Sequence, residues 1–161
     1  MISSGDALKS LAREAAMLPQ EEMLEVGRKK QSLYIGIPKE TEFQEQRVAL
    51  VPEAVNLLVS NGHRVVIETN AGANANFSDN DYSEAGAQIA YDTKSVYKAD
   101  IILKVEPLSH DELDLMQQGQ TLISALQLPV QPKDFLKKLI AKKITAIAYD
   151  YIKDNTGSLP V

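Results

Sequence analysis

Three polar residues, Arg47, Lys104 and Gln127, stand at the ends of short apolar runs or in the loop that follows one. Arg47 lies in a long polar loop after "LYIGIP", Lys104 interrupts "DIILKV", and Gln127 follows "TLISAL". If these runs are parallel strands, their carboxyl ends meet at one edge of a sheet, which is where open α/β sheets bind ligands. A guanidinium fork, an ammonium and an amide at that edge, beside a helix N-terminus, predict a site for a small organic anion such as a keto acid.

Each of these residues also has a purely structural interpretation. Arg47 is two residues from Glu45 and can form a surface ion pair with it. The Lys104 ammonium can extend to water from a buried strand end, and the Gln127 amide can be a satisfied strand-end group. The pattern alone leaves these alternatives open.

The runs that carry the three residues belong to an alternation of apolar and amphipathic segments. Five of the runs are rich in Ile, Val or Leu and predict strands over residues 33–38, 64–69, 100–105, 121–126 and 144–149. Runs this apolar are typical of parallel strands covered on both faces. The sequence therefore predicts an α/β protein with a Rossmann-like (flavodoxin-like) parallel sheet and helices on both faces.

Helix signals lie between the predicted strands. Pro52 is placed at the first position of one helix, with Gly62 just past its end. Capping boxes are predicted at Ser78 with Asp81 and at Ser109 with Glu112. A last helix opens at Pro132. It is expected to bury four residues, Phe135, Leu136, Leu139 and Ile140.

Composition excludes several kinds of site. The 161 residues carry a net charge of -5, are 44% hydrophobic and include no cysteine. Scattered basic residues argue against nucleic acid and anionic membrane as partners, and the absence of thiols fits a cytoplasmic protein. The two histidines lie at no metal-ligand spacing, so no metal site is predicted. No glycine-rich phosphate motif occurs, so no cofactor-binding residues are predicted in this chain.

The N-terminal segment differs from the rest of the chain. Leu8, Leu11, Ala15 and Leu18 recur at helical spacing within residues 1–32. This pattern predicts a helical arm that packs on its own domain or on a second subunit. Residues 33–161 are predicted to form the domain itself.

Four motifs give the chain a family resemblance. They are "IGIPKE…RVALVPEAV", "AGA…FSDNDYSEAGAQI", "ADIILKVEPL" and "ITAIAYDYI…GSLP". In this order and spacing they resemble the N-terminal, substrate-side domain of the alanine dehydrogenase and nicotinamide nucleotide transhydrogenase family, and the wording is closer to alanine dehydrogenase. The resemblance begins at about Leu33 and continues to the end of the chain.

The resemblance implies roles for the same residues. Arg47 would hold the carboxylate of pyruvate or L-alanine, and Lys104 would contact both the keto group and the carboxylate. NAD would be bound by a following Rossmann domain, which would also supply a catalytic aspartate, and hydride would pass between the nicotinamide and C2 of the substrate. Because the chain stops before that domain, no turnover is expected from it alone. The parent protein is expected to be a homo-oligomer.

The sequence departs from the family pattern at three places. Gln127 stands where alanine dehydrogenases usually carry a histidine, and a glutamine can donate a hydrogen bond to the keto oxygen but cannot act as an acid near neutral pH. This puts in doubt the alanine specificity or the catalytic role of that position. "KVEP" is one residue short, and Val51 replaces the Ser or Thr that caps the helix, at a cost of about 1 kcal/mol.

Two other functions agree with the sequence. One is the equivalent domain of a transhydrogenase α subunit, in which Arg47 would be structural and pyruvate would not bind. The other is a non-catalytic regulatory module on the same scaffold. The family further implies that a later helix packs on this domain, so that an apolar patch and self-association are expected without that helix.

Overall fold

The computed structural model describes residues 32–153 and Gly157, so residues 1–31 of the predicted arm lie outside the described part. Six parallel strands form one sheet in the order β3-β2-β1-β4-β5-β6. They are β1 (Tyr34–Ile37), β2 (Arg64–Glu68), β3 (Gln88–Ala90), β4 (Ile101–Leu103), β5 (Thr121–Ser124) and β6 (Thr145–Ala148). The sequence predicts five of these strands and misses β3.

Within residues 32–153, five α-helices connect the strands. They are α1 (Pro52–Ser60), α2 (Asp79–Glu84), α3 (Thr93–Val96), α4 (His110–Leu115) and α5 (Lys133–Ala141). Short 3-10 turns occupy Ala73–Ala75, Leu128–Val130 and Tyr149–Tyr151. Within the described residues, no helix has the length and apolar character needed to cross a membrane.

The strand order confirms the Rossmann-like prediction. From β1 the chain winds outward to β2 and β3, then returns to the other side of β1 and continues through β4, β5 and β6. This is the order of the doubly wound Rossmann sheet, whereas a flavodoxin sheet has the order 2-1-3-4-5. The two directions of winding separate between β1 and β4, so the loops after these two strands flank the switch point.

Two apolar cores lie on opposite faces of the sheet, as alternation along β2 requires. Val65 and Ile67 face one core, which also contains Val55 of α1 and Tyr82 of α2. Val66 faces the other, which contains buried residues of α3, α4 and α5. At Gly36 of β1 an added Cβ would lie 2.6 Å from the Val96 carbonyl oxygen, so only glycine allows the α3 segment to approach the sheet this closely.

The local helix signals are largely confirmed. Both predicted capping boxes form, at Ser78 with Asp81 and at Ser109 with Glu112. Pro52 occupies the first turn of α1, and its N-cap Val51 makes no side-chain hydrogen bond. The start of α1 therefore lacks the stabilisation that the other two helices have.

The prediction for the last helix is wrong at two of its four positions. Phe135 and Leu139 are buried, but Leu136 is partly exposed and the Ile140 side chain is 76% exposed. Residues four apart share one face of a helix, and α5 uses only the face that contains Phe135 and Leu139. Leu136 and Ile140 belong to neither of the two apolar cores formed by the described residues.

One row of the sheet remains partly uncovered by the described helices. Leu103, Ile123 and Ile147 are aligned across β4, β5 and β6, on the face that packs against α1 and α2 elsewhere. Leu103 and Ile123 are half-buried, and Ile147 is 43% exposed. Among the described residues this row is the candidate for the expected patch, which stays a prediction.

Candidate functional site

Arg47 lies in the loop between β1 and α1, at the switch point of the sheet. Its Nε and Nη2 atoms donate to the two carboxylate oxygens of Glu45, at 2.9 and 2.6 Å. The Arg47 side chain is nevertheless 65% exposed, while that of Glu45 is enclosed. The surface ion pair considered from the sequence is thus present, and it orients the guanidinium.

This pair fixes the charge of both groups. Hydrogen bonds from Arg47 lower the pKa of the Glu45 carboxyl to about 2, and the same bonds raise the pKa of the guanidinium. Both groups are therefore ionised at neutral pH.

Glu106 is a site residue that the sequence reasoning missed. It follows β4 and Lys104, and its Oε1 accepts a hydrogen bond from Arg47 Nη2 at 3.3 Å. Its Oε2 accepts one from Gln127 Nε2 at 2.8 Å. The signal was present in "LKVEP", because an acidic residue directly after a buried strand end lies at the same edge as Lys104.

The pKa of Glu106 is raised. Partial burial is the main cause, and the nearby carboxylate of Glu45 adds to it, although Arg47 opposes the shift. Glu45 and Glu106 thus share the guanidinium of Arg47. Glu106 has the longer contact with it and is the more readily protonated of the two carboxylates.

Gln127 follows β5 and is held at its backbone. Its φ of 47° is left-handed, and its N–H donates to the Asp150 carboxylate at 3.0 Å, as does that of Leu126 at 3.2 Å. The side chain is exposed and donates to Glu106. The interpretation of Gln127 as a satisfied strand-end amide is therefore correct. Its hydrogen-bond partner, Glu106, also contacts Arg47 and thus belongs to the candidate site.

Lys104 is enclosed beneath this group. Its side chain is 0% exposed, and Nζ lies 2.8 Å from Glu112 Oε1 and 3.5 Å from Glu40 Oε2. The alternative in which the ammonium extends to water is therefore wrong. A buried ammonium requires acidic partners of this kind. The sequence analysis predicts a site role for neither Glu40 nor Glu112.

Glu40 and Glu112 tie the lysine to two elements. Glu112 is the capping-box residue of α4, and its second oxygen accepts from Ser109 N–H at 2.8 Å. Glu40 follows β1 and accepts from Val105 N–H at 2.7 Å. Burial raises the pKa of Glu40, while the lysine charge opposes that shift. The loops after β1 and β4 are joined through this carboxylate.

A pocket of about 330 Å³ opens beside the exposed part of the site. Glu106 and Gln127 line it together with His110, Glu42 and the first residues around α5. The pocket has room for a small molecule at the carboxyl edge of β4 and β5. Arg47 and Lys104 do not line it, and Arg47 is connected to it through the contact with Glu106.

The described residues do not fit a dinucleotide or a metal ion. The segment from β1 to α1 is a long loop, residues 38–51, without the glycine-rich turn that a pyrophosphate needs, and Glu40, Glu45 and Glu106 surround it with negative charge. Over residues 32–153 no cluster of three His, Asp or Glu side chains has the geometry of a metal site. What the arrangement offers is one oriented guanidinium with an amide beside it.

Known proteins resemble this chain in sequence and in fold. Residues 36–161 match the family described as "Alanine dehydrogenase/PNT, N-terminal domain". The chain is 39% identical over 122 residues to alanine dehydrogenase of Bacillus subtilis (strain 168), covering 76% of this chain and 32% of that protein.

Solved structures agree with the sequence relatives. An L-alanine dehydrogenase superposes with a TM-score of 0.74 at 41% identity, covering 78% of this chain and 35% of that one. The transhydrogenase from Sinorhizobium meliloti superposes with a TM-score of 0.69 at 30% identity, covering 76% and 35%. The chain spans about a third of the length of these relatives. It belongs to the alanine dehydrogenase/PNT N-terminal domain family.

Proposed function

We propose that this chain is the substrate-binding domain of an NAD-dependent alanine dehydrogenase, which oxidatively deaminates L-alanine to pyruvate and ammonia. The observation that carries the proposal is the oriented Arg47 at the switch point, with the Nη1 side of its guanidinium making no hydrogen bond within residues 32–153. A planar fork of this kind matches a carboxylate in two hydrogen bonds. The alanine dehydrogenase relatives support the choice of substrate.

Gln127 is the proposed contact for the keto oxygen. Its exposed amide lies beside Arg47 and is linked to it through Glu106. An amide N–H stabilises a keto oxygen by hydrogen bonding without changing its own protonation state. Gln127 cannot donate a proton to the keto oxygen, so a proton transfer to that oxygen must come from another group.

Lys104 is proposed to act on the same substrate, and its contacts define what that requires. Direct contact with the keto group or carboxylate requires a rearrangement that exposes the ammonium, because its side chain is 0% exposed between Glu112 and Glu40. In the arrangement described its charge is balanced by these two carboxylates. NAD is proposed as the cofactor of the whole protein, held by residues other than 32–153, and a homo-oligomer is proposed as its assembly.

The test is an NMR titration of the chain with pyruvate, following backbone amides and the Arg47 side chain. We expect shifts at Arg47, Gln127 and Lys104 with pyruvate, and none with NADH. Arg47→Ala should weaken binding by at least about tenfold, because two charge-assisted hydrogen bonds are lost. Arg47→Lys is the matched control. It keeps the positive charge but loses the planar guanidinium, so its affinity for pyruvate should lie between that of the wild type and that of Arg47→Ala.

Two observations favour a second function. The transhydrogenase likeness covers the same part of the chain, and Gln127 departs from the histidine usual in alanine dehydrogenases. In a transhydrogenase domain Arg47 would be structural. Millimolar pyruvate that moves no resonance of the site would favour this function over the first.

A further inference from the structure

The guanidinium of Arg47 has two edges that can bind a carboxylate. Glu45 occupies the edge formed by Nε and Nη2 with two short hydrogen bonds. The edge formed by Nη1 and Nη2 makes a single contact among the described residues, at 3.3 Å to Glu106 Oε1. An incoming carboxylate can therefore bind without disturbing Glu45, but it must take the place of Glu106.

The other carboxylate oxygen of Glu106 occupies the hydrogen-bonding position of Gln127, the residue proposed to contact the keto oxygen. Oε2 accepts the Gln127 Nε2 hydrogen bond at 2.8 Å. One side-chain carboxylate thus bridges the two groups assigned above to the carboxylate and the keto oxygen of a 2-keto acid. Both donors are kept in place by a group that resembles part of the substrate.

We propose that Glu106 is an internal placeholder for the substrate: it holds Arg47 and Gln127 with its carboxylate, and it gives both up when a 2-keto acid binds, taking a proton from solvent as it does so. This inference rests on the proposed function and adds to it a positioning residue and a proton linkage. The balance is simple, since the carboxylate and one proton become the carboxylic acid.

Electrostatics at the site favour proton uptake. Arg47, Glu45 and Glu40 face Glu106 from the loop after β1, and Tyr149 faces it from the segment after β6. His110 and Glu42 line the same pocket. Once a substrate carboxylate neutralises Arg47, Glu106 is left beside two other carboxylates and a new anion, so its ionised form is disfavoured. The raised pKa of the free group points in the same direction.

The consequence is a pH dependence of binding with a defined sign. Pyruvate is an anion throughout the neutral range, so it does not supply the dependence itself. If binding requires protonated Glu106, affinity should fall by up to about tenfold per pH unit above the pKa of that carboxyl. Binding should also take up one proton.

The experiment compares the 161-residue chain with Glu106→Gln and Glu42→Gln. Pyruvate is titrated at several pH values from about 5 to 8, with the Arg47 side chain and the Gln127 amide followed by NMR. Glu42→Gln removes the same charge from the same pocket, but Glu42 makes no side-chain hydrogen bond to Arg47 or Gln127 in the described structure. His110 is retained in every variant.

The proposal expects affinity that falls with pH in the wild type and in Glu42→Gln, and pH-independent, tighter binding in Glu106→Gln. Binding of pyruvate by Glu106→Gln alone at high pH would also support it. A wild type that binds equally at all pH values, or a dependence that survives in Glu106→Gln, overturns the placeholder and leaves the substrate assignment intact. Absence of binding by all three proteins at every pH overturns the substrate assignment together with the placeholder.

Discussion

Removal of Glu112 tests the buried charge beneath the site. In Glu112→Ala the Lys104 ammonium loses its 2.8 Å partner and keeps only Glu40, at 3.5 Å. Breaking a buried ion pair from one side costs about 3–5 kcal/mol, because the remaining charge stays out of water. The variant also loses the acceptor for Ser109 N–H at the start of α4, which adds about 1 kcal/mol.

The expected loss of about 4–6 kcal/mol is large beside the 5–15 kcal/mol that stabilises a typical domain. Equilibrium urea unfolding at neutral pH, followed by circular dichroism and by tyrosine fluorescence, measures it. Glu112→Gln provides a milder step, because one amide oxygen can accept from Lys104 or from Ser109 but not fully from both. This variant remains measurable if Glu112→Ala does not fold.

Glu84→Ala is the matched control, since Glu84 is an exposed helical glutamate that accepts one hydrogen bond, from Asn80. It should change stability by less than about 0.5 kcal/mol. Adding Lys104→Met to Glu112→Gln should recover part of the loss, because the ammonium that has lost its nearer partner is removed. The recovery is limited because Glu40 then loses its counter-charge and keeps only its backbone N–H donors. Equal stabilities of Glu112→Ala and Glu84→Ala would refute the reasoning and show that the ammonium reaches water.

Two further predictions concern the loop after β1. Val51→Ser should stabilise the chain by about 1 kcal/mol in urea unfolding, because a hydroxyl at the N-cap of α1 can accept a free backbone N–H, whereas Val51→Ala should give no gain. The second prediction concerns the ion pair of Glu45 with Arg47. This pair stabilises the fold at pH values above 4.5, the ordinary pKa of the Glu45 carboxyl, and the stabilisation is lost as the pH falls toward about 2, the pKa of Glu45 in the folded chain. Between about pH 6 and pH 3 the urea midpoint of the wild type should thus fall more than that of Glu45→Gln, and equal falls would show that the pair does not form in solution.

Local signals in the sequence were sufficient for much of the fold. The two capping boxes and Pro52 act through neighbouring backbone, so the residue types alone predict them. Strand β3 was missed because it has three residues and pairs only with β2, at the edge of the sheet, where little apolar sequence is needed. The exposure of Ile140 depends on which elements lie beside α5, and no local pattern contains that information.

The site was predicted in part for the same reason. Arg47, Lys104 and Gln127 could be placed at one edge because all parallel strands end there. The strand order that brings the loops after β1 and β4 together was not predictable from the sequence. The contact of Glu40 with Lys104 depends on that order, so it could not be predicted either. A buried lysine demands a counter-charge, so the acidic residue after the neighbouring strand β1 was the available signal for Glu40.

The strand order also bears on how the site comes into existence during folding. The turn outward through β2 and β3 and the return through β4, β5 and β6 are two largely local units, joined in the sheet by the β1–β4 pairing of Ile35 with Ile101 and Gly36 with Ile102. Glu40 reaches Val105 across 65 residues of chain. Contacts of such long separation are entropically costly and form when the units dock. A chain with only one unit folded lacks the contact of Arg47 with Glu106, so a ligand of the proposed site should recognise only molecules in which both halves have docked.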